Sequence, residues 1–126
     1  MKYTAGIDNG TQSTKVLIYD FTNKKIVSSV SSSHELISKQ DGTREQYADW
    51  WIEALKDCFQ QIPSDIRKSI IGIGVSGQQH GFVPLDSDGN VIYPVKLWCD
   101  TSTSKEAERM NIAYGGYEKI THTVGN

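Results

Sequence analysis

Gly6-Ile7-Asp8-Asn9-Gly10-Thr11-Gln12-Ser13-Thr14-Lys15 sets a carboxylate at the end of an apolar segment and follows it with a turn of glycine and hydroxyl residues. Gly10 has no Cβ to keep a ligand away from the backbone, and the amides of a tight turn can form a nest for an anion. Thr11, Ser13 and Thr14 add hydroxyl donors, and Lys15 adds a charge that can reach a phosphate. Asp8 cannot bind an anion directly, but beside such a loop it can hold Mg²⁺ through water. An Asn-Gly pair alone makes an ordinary hairpin turn, so the chemistry rests on the whole run and its surroundings.

On either side of this run, the segments Tyr3–Asp8, Lys15–Asp20 and Ile26–Ser33 read as strands, with Val16 and Ile18 alternating against Leu17 and Tyr19. Tight turns at 9–14 and 22–24 make them an antiparallel meander. A polar loop through Asp41-Gly42-Thr43 leads to a helix with apolar positions Ala48, Trp51, Ile52, Leu55, Cys58, Phe59 and Ile62, closed by Pro63. The run Ser69–Ser76 is apolar on successive residues, which predicts a parallel strand covered on both faces. A short hairpin turns at Asp86–Asn90, a second helix runs from about Thr103 to Asn111, and Tyr117–Asn126 carries no stop signal. Strands, a helix and then a buried strand predict a mixed α/β sheet, with no internal repeat.

Hydrophobic residues at 37% and charged residues at 22% of 126 describe a chain able to bury one core. A net charge of −2 provides no basic patch for a phosphate backbone, so nucleic acid is not an expected partner. No apolar stretch approaches the roughly 20 residues of a membrane span, and no basic-then-apolar leader opens the chain, so neither a membrane nor export is expected and the cytoplasm is. Cys58 and Cys99 form no metal-ligand or disulfide spacing. Asp86-Ser87-Asp88-Gly89 lacks the remaining ligands of a calcium loop and reads as a turn.

The opening loop is not a Walker A sequence, because GxxxxGK[ST] is absent and it joins two strands rather than a strand and a helix. It resembles the DxGT-type hairpin of the actin-like ATPase fold, and within that fold the carbohydrate kinases named for a Phe-Gly-Gly-Tyr motif. Further along, Gly77-Gln78-Gln79-His80-Gly81 resembles the Gly-Gln-Met-His-Gly signature of xylulose kinases, with Gln79 in place of Met. Leu97-Trp98-Cys99-Asp100 resembles their Trp-Asn/Cys-Asp segment, and Arg44-Glu45-Gln46 resembles the segment before their first helix, where Glu45 and Gln46 read as loop-fixing residues. The strand before Gln79 and His80 ends in glycines, exposing them where ligands bind α/β sheets. Their side chains can exchange hydrogen bonds with sugar hydroxyls, Trp98 can wall a sugar face and Asp100 can accept a hydroxyl. Glycerol kinases do not resemble this segment.

The resemblance covers residues 1–126 and implies the first part of an RNase H-like, actin-like domain of mixed α/β class. It implies an enzyme that phosphorylates a ketose, D-xylulose foremost, using ATP and Mg²⁺. Gly10, Thr11, Gln12, Ser13, Thr14 and Lys15 would hold the nucleotide phosphates, with Asp8 on the metal through water. Gln79, His80, Trp98 and Asp100 would meet the sugar. Family members take the hydroxyl proton with an aspartate that the resemblance assigns to later sequence, so these residues alone are expected to be an inactive fragment. A kinase for another sugar such as sedoheptulose, or a non-catalytic nucleotide- or sugar-binding module, stays open, as does a homodimer.

Overall fold

Period-two alternation carries the first three strands. The computed structural model describes residues 2–125. Strand β1 (Tyr3–Asn9) buries Tyr3, Ala5 and Ile7, and β2 (Ser13–Asp20) buries Thr14, Val16 and Ile18. The antiparallel register sets Ile7 opposite Val16 and Ala5 opposite Ile18, so both strands turn one apolar face the same way. Strand β3 (Lys25–Ser33) completes the meander. At the β2–β3 turn the buried Asp20 carboxylate accepts from the amides of Thr22 and Asn23 and from the Asn23 side chain, while Lys24 takes a φ of 51°. The expected strands stand within one or two residues of their predicted ends.

After β4 (Ile37–Ser38) and β5 (Arg44–Gln46), helix α1 (Ala48–Gln61) crosses the apolar face. Cys58 and, just past the helix, Ile62 are fully buried in the cluster with Tyr3, Ala5, Ile7, Val16 and Ile18, and Leu55 and Phe59 pack around it. Full burial of each aliphatic side chain contributes about 1.5–3 kcal/mol, so this seam is the main source of stability. The helix sits rotated from the predicted stripe: Ile52 is 52% exposed, whereas Ala54 is buried. Six residues separate Ile52 from Cys58, roughly 240° around the helix, which turns it off the buried face.

Helix α2 (Ser64–Lys68) starts after Pro63 and feeds β6 (Ile70–Gly77), which pairs in parallel with β1. The main sheet has the order β3-β2-β1-β6, the mixed sheet expected. The expectation that this strand is covered on both faces is corrected. It lies at the sheet edge, with Ile71, Ile73 and Val75 at 63%, 60% and 74% exposure. An unbroken apolar run reports that both faces of a strand favour burial; what packs on them is a separate fact, and no described residue covers these side chains.

The face opposite α1 is open. Gly6 lies opposite Gly74 and Thr4 opposite Gly72, and a Cβ at Gly6 or Gly74 would meet nothing within 4 Å. The result is a trough of about 490 Å³ whose walls include Asp8, Lys15, Leu17 and Ser76.

A second sheet, β4-β5-β7, is completed by β7 (Val95–Lys96). Arg44–Gln46 is thus a short strand rather than a loop. Helix α3 (Ser104–Tyr114) ends at Gly115, whose φ of 85° is the left-handed cap, and α4 (Tyr117–Val124) follows. That last helix had no sequence signal, and Asn126 lies outside the described residues. No described helix is long and apolar enough to cross a membrane.

Candidate active site

The β1–β2 loop is held from beneath. Gly10 N donates to Ser13 O at 3.0 Å, closing the turn, and a Cβ on Gly10 would stand 3.3 Å from that same oxygen. Thr11 O accepts from Gln46 Nε2 at 2.8 Å, and Gln12 O accepts from His34 N at 2.8 Å. Cys58 Sγ donates to Thr14 O at 3.4 Å. Among the described residues, the amides of Thr11 and Gln12 meet no protein acceptor. Two adjacent unpaired N–H groups in a tight turn are the donor set that suits a phosphate oxygen.

Thr14 does not offer its hydroxyl to the outer side of this loop. It shares the buried face with Val16 and Ile18, donates to Asn9 Oδ1 at 3.3 Å and stands 2.8 Å from His34 Nε2. The donor in the Thr14–His34 contact is set by the His34 tautomer, and the buried Nδ1 meets no hydrogen-bond partner among the described residues. Burial lowers the His34 pKa, offset in part by the backbone of Thr11 and Gly10, and so favours the neutral ring.

Asp8 and Lys15 face each other across β1 and β2 and are both exposed on the open face. Neither takes part in an ion pair among the described residues. Asp8 also stands opposite Ser76 of β6. No group of three or more possible metal ligands occurs among the described residues. A single carboxylate beside unpaired amides fits a cation that brings its own phosphate and water ligands.

The segments after β6 and β7 meet this loop. Gln78 N donates to Asn9 O at 3.0 Å, Thr11 Oγ1 donates to Gln78 Oε1 at 3.1 Å, and Trp98 Nε1 donates to Thr11 Oγ1 at 3.1 Å. His80, Phe82, Lys96, Trp98, Asp100 and Thr103 line a cavity of about 460 Å³. His80 takes a φ of 58°, a left-handed backbone uncommon outside glycine that aims the strand end into a sharp turn. Gln79 is exposed but is not part of that lining.

Asp100 reaches the cavity with its carboxylate already engaged. Oδ1 accepts from Ser102 N at 3.0 Å and Ser102 Oγ at 2.6 Å; Oδ2 accepts from Arg44 N at 2.7 Å and lies 3.4 Å from Lys96 Nζ. Lys96 also pairs with Glu45 at 2.9 Å, its opposite residue in the β5–β7 ladder, and donates to Ser102 Oγ. Glu45, Lys96 and Asp100 therefore form one clamp under the cavity wall. Gly42, with φ 92°, lies so near Thr101 that any Cβ there would collide. Gln46 fixes the other side: besides Thr11 O it donates to Glu35 O at 2.7 Å and accepts from Trp51 Nε1 at 2.9 Å. Lys96 and His34 carried no sequence signal of their own; Lys96 stands four residues before Asp100, a spacing that outside a helix implies nothing.

Burial pushes the Asp100 carboxyl up, but hydrogen bonds from Ser102 and Arg44 and the Lys96 charge outweigh it and bring the pKa down from 3.8 to about 2. A depressed carboxyl stabilises the fold above its unfolded pKa and loses that contribution as pH falls through the folded value. Urea midpoints are therefore expected to fall between about pH 4 and about pH 2 by an amount worth roughly 2 kcal/mol. Asp100→Asn should flatten that part of the profile; an unchanged profile would contradict the clamp.

A tight loop with unpaired amides on the first hairpin of a mixed sheet, joined to a cavity at the end of the parallel strand, is the arrangement of the amino-terminal part of an actin-like ATPase fold. Residues 3–126 match the model of the FGGY family of carbohydrate kinases, N-terminal domain, and the chain belongs to that family. It is 40% identical over 127 residues to a xylulose kinase of Haemophilus influenzae, covering 95% of this chain and 26% of that protein. The structure of a ligand-bound xylulose kinase from Lactobacillus acidophilus matches with a TM-score of 0.79 at 28% identity, over 97% of this chain and 24% of that one. A gluconate kinase from the same organism matches with a TM-score of 0.78 at 29% identity, over 96% and 24%. The chain thus spans about a quarter of the length of these relatives.

Proposed function

We propose that residues 1–126 supply the phosphate hairpin and part of the sugar site of a cytoplasmic kinase that uses ATP and Mg²⁺ to phosphorylate a ketose, D-xylulose foremost. One observation carries the reading: Gln78 and Trp98, from the segments that would meet the sugar, are hydrogen-bonded to Asn9 and Thr11 of the loop that would meet the phosphates. Donor and acceptor subsites that share hydrogen bonds are what a transfer reaction needs, since alignment supplies much of its rate. The H. influenzae relative, a xylulose kinase, supports the choice of sugar. Gln79, in place of the signature Met, and the gluconate kinase neighbour keep another sugar, sedoheptulose included, as the second reading.

In this scheme the amides of Thr11 and Gln12, with Gly10, Ser13 and Lys15, receive the phosphates, and Thr14 braces the loop from inside. Asp8 would hold the metal, with water between them. ATP with Mg²⁺, when bound, supplies the transferable phosphoryl group. His80 exchanges hydrogen bonds with sugar hydroxyls, Trp98 walls the sugar, and Asp100, its carboxylate engaged by Ser102, Arg44 and Lys96, keeps that wall in place, while Gln79 stands outside this cavity. The general base belongs to sequence beyond residue 126. An ADP-release assay on a protein of the relatives' length, across D-xylulose, sedoheptulose, gluconate and glycerol, tests the reading. Turnover is expected to be highest with D-xylulose and absent from residues 1–126 alone; preference for another substrate would reassign the sugar, and no turnover with any would refute the kinase.

A further inference from the structure

The Thr11 hydroxyl stands between two segments far apart in sequence, 67 residues from Gln78 and 87 from Trp98. A threonine hydroxyl has one proton and two acceptor positions. Here the proton goes to Gln78 Oε1 and one acceptor position takes the Trp98 indole N–H, each at 3.1 Å. The three groups form a directed chain, indole to hydroxyl to amide, in which each bond polarises the next.

Both partners depend on that hydroxyl. Trp98 is 60% exposed, and its bond to Thr11 is the polar contact that sets the ring's direction at the cavity wall. Gln78 Nε2 is buried and meets no partner among the described residues, so the Thr11 bond is the one side-chain hydrogen bond that orients the Gln78 amide. Gln78 in turn immediately precedes Gln79 and His80, and His80 lines the same cavity as Trp98.

We propose that Thr11 is a positioning residue for the sugar site, its hydroxyl latching Trp98 and the Gln78–His80 segment against the phosphate hairpin. The proposal rests on the kinase reading above and adds a second role for a loop side chain whose hydroxyl and family resemblance point to the phosphates alone. It states that a change on the nucleotide side of the cleft alters sugar affinity without removing any sugar contact.

The test separates the latch from the function. In a protein of the relatives' length labelled with ¹⁵N at tryptophan, the Trp98 indole resonance is the one lost in Trp98→Phe. Thr11→Val is expected to move that resonance and speed its hydrogen exchange, and Thr11→Ser to restore both. Calorimetry with D-xylulose in the absence of nucleotide excludes any lost phosphate contact; Thr11→Val should weaken binding about three- to tenfold, as loss of one hydrogen bond does, with Thr11→Ser within about twofold of wild type. An unmoved indole resonance would overturn the latch. A moved resonance with unchanged D-xylulose affinity would overturn the positioning role. Absence of D-xylulose binding by the wild type would refute the functional reading and the positioning role with it, and the indole measurement would still report whether the latch exists.

Discussion

Gln46→Ala is expected to destabilise the protein by about 3–5 kcal/mol, a large share of the 5–15 kcal/mol typical of a domain. Gln46 is fully buried and uses both amide protons and its oxygen, on Thr11 O, Glu35 O and Trp51 Nε1. Truncation leaves two carbonyls and one indole N–H without their partner in part-buried surroundings and opens a void where the Gln46 side chain was; an unsatisfied group costs about 1–3 kcal/mol where water is kept out, least at the exposed Glu35. Those three groups belong to the phosphate hairpin, the segment after β3 and the first turn of α1, so the loss is shared by the elements that define the site. Gln46→Glu, when ionised, offers neither donor and brings a charge into the same place; it should be no better tolerated. Urea unfolding at neutral pH measures the effect. A midpoint shift worth less than about 1 kcal/mol would mean that the three groups are satisfied in another way.

Asp8→Ala is expected to lower kcat by on the order of 10²-fold or more in a protein of the relatives' length, with the KM for the sugar changed only a few-fold. Asp8 stands on the open face opposite Lys15, at the end of the strand that enters the nest, and away from the cavity lined by His80 and Trp98. A group that acts on the metal and phosphates contributes where charge moves, not where the sugar is held. His80→Ala is expected to do the reverse, raising the sugar KM about two- to tenfold, the value of one hydrogen bond, with a smaller change in kcat. Steady-state kinetics on both variants checks the contrast, and identical profiles would refute the division of roles.

Much of the frame was legible because its signals are local. Alternation in β1 and β2, Asn9-Gly10 at the turn and the apolar run of β6 each report on a few consecutive residues. The same alternation also contained a fact that a motif reading passes over. Thr14 shares the face of Val16 and Ile18, which turns its hydroxyl inward, while Lys15 goes outward with Leu17. Strands β4, β5 and β7 are two or three residues long, too short to show any period, and they set Glu45 against Lys96 and so build the Asp100 clamp. Contacts such as Gln46 with Glu35, or Thr11 with Trp98, join residues distant in sequence and leave no trace in spacing. The exposure of Ile71, Ile73 and Val75 was likewise hidden, since composition states what a strand favours and packing decides what it receives.

A crystal structure of a protein of the relatives' length with ADP, Mg²⁺ and D-xylulose bound would decide between the roles given to the two ends of this site. The expected result has phosphate oxygens accepting from the amides of Thr11 and Gln12, the metal near Asp8 with water between them, and the sugar against Trp98 within reach of His80. Phosphates seated away from the Gly10–Ser13 loop, or a sugar bound outside the cavity lined by His80 and Trp98, would contradict it.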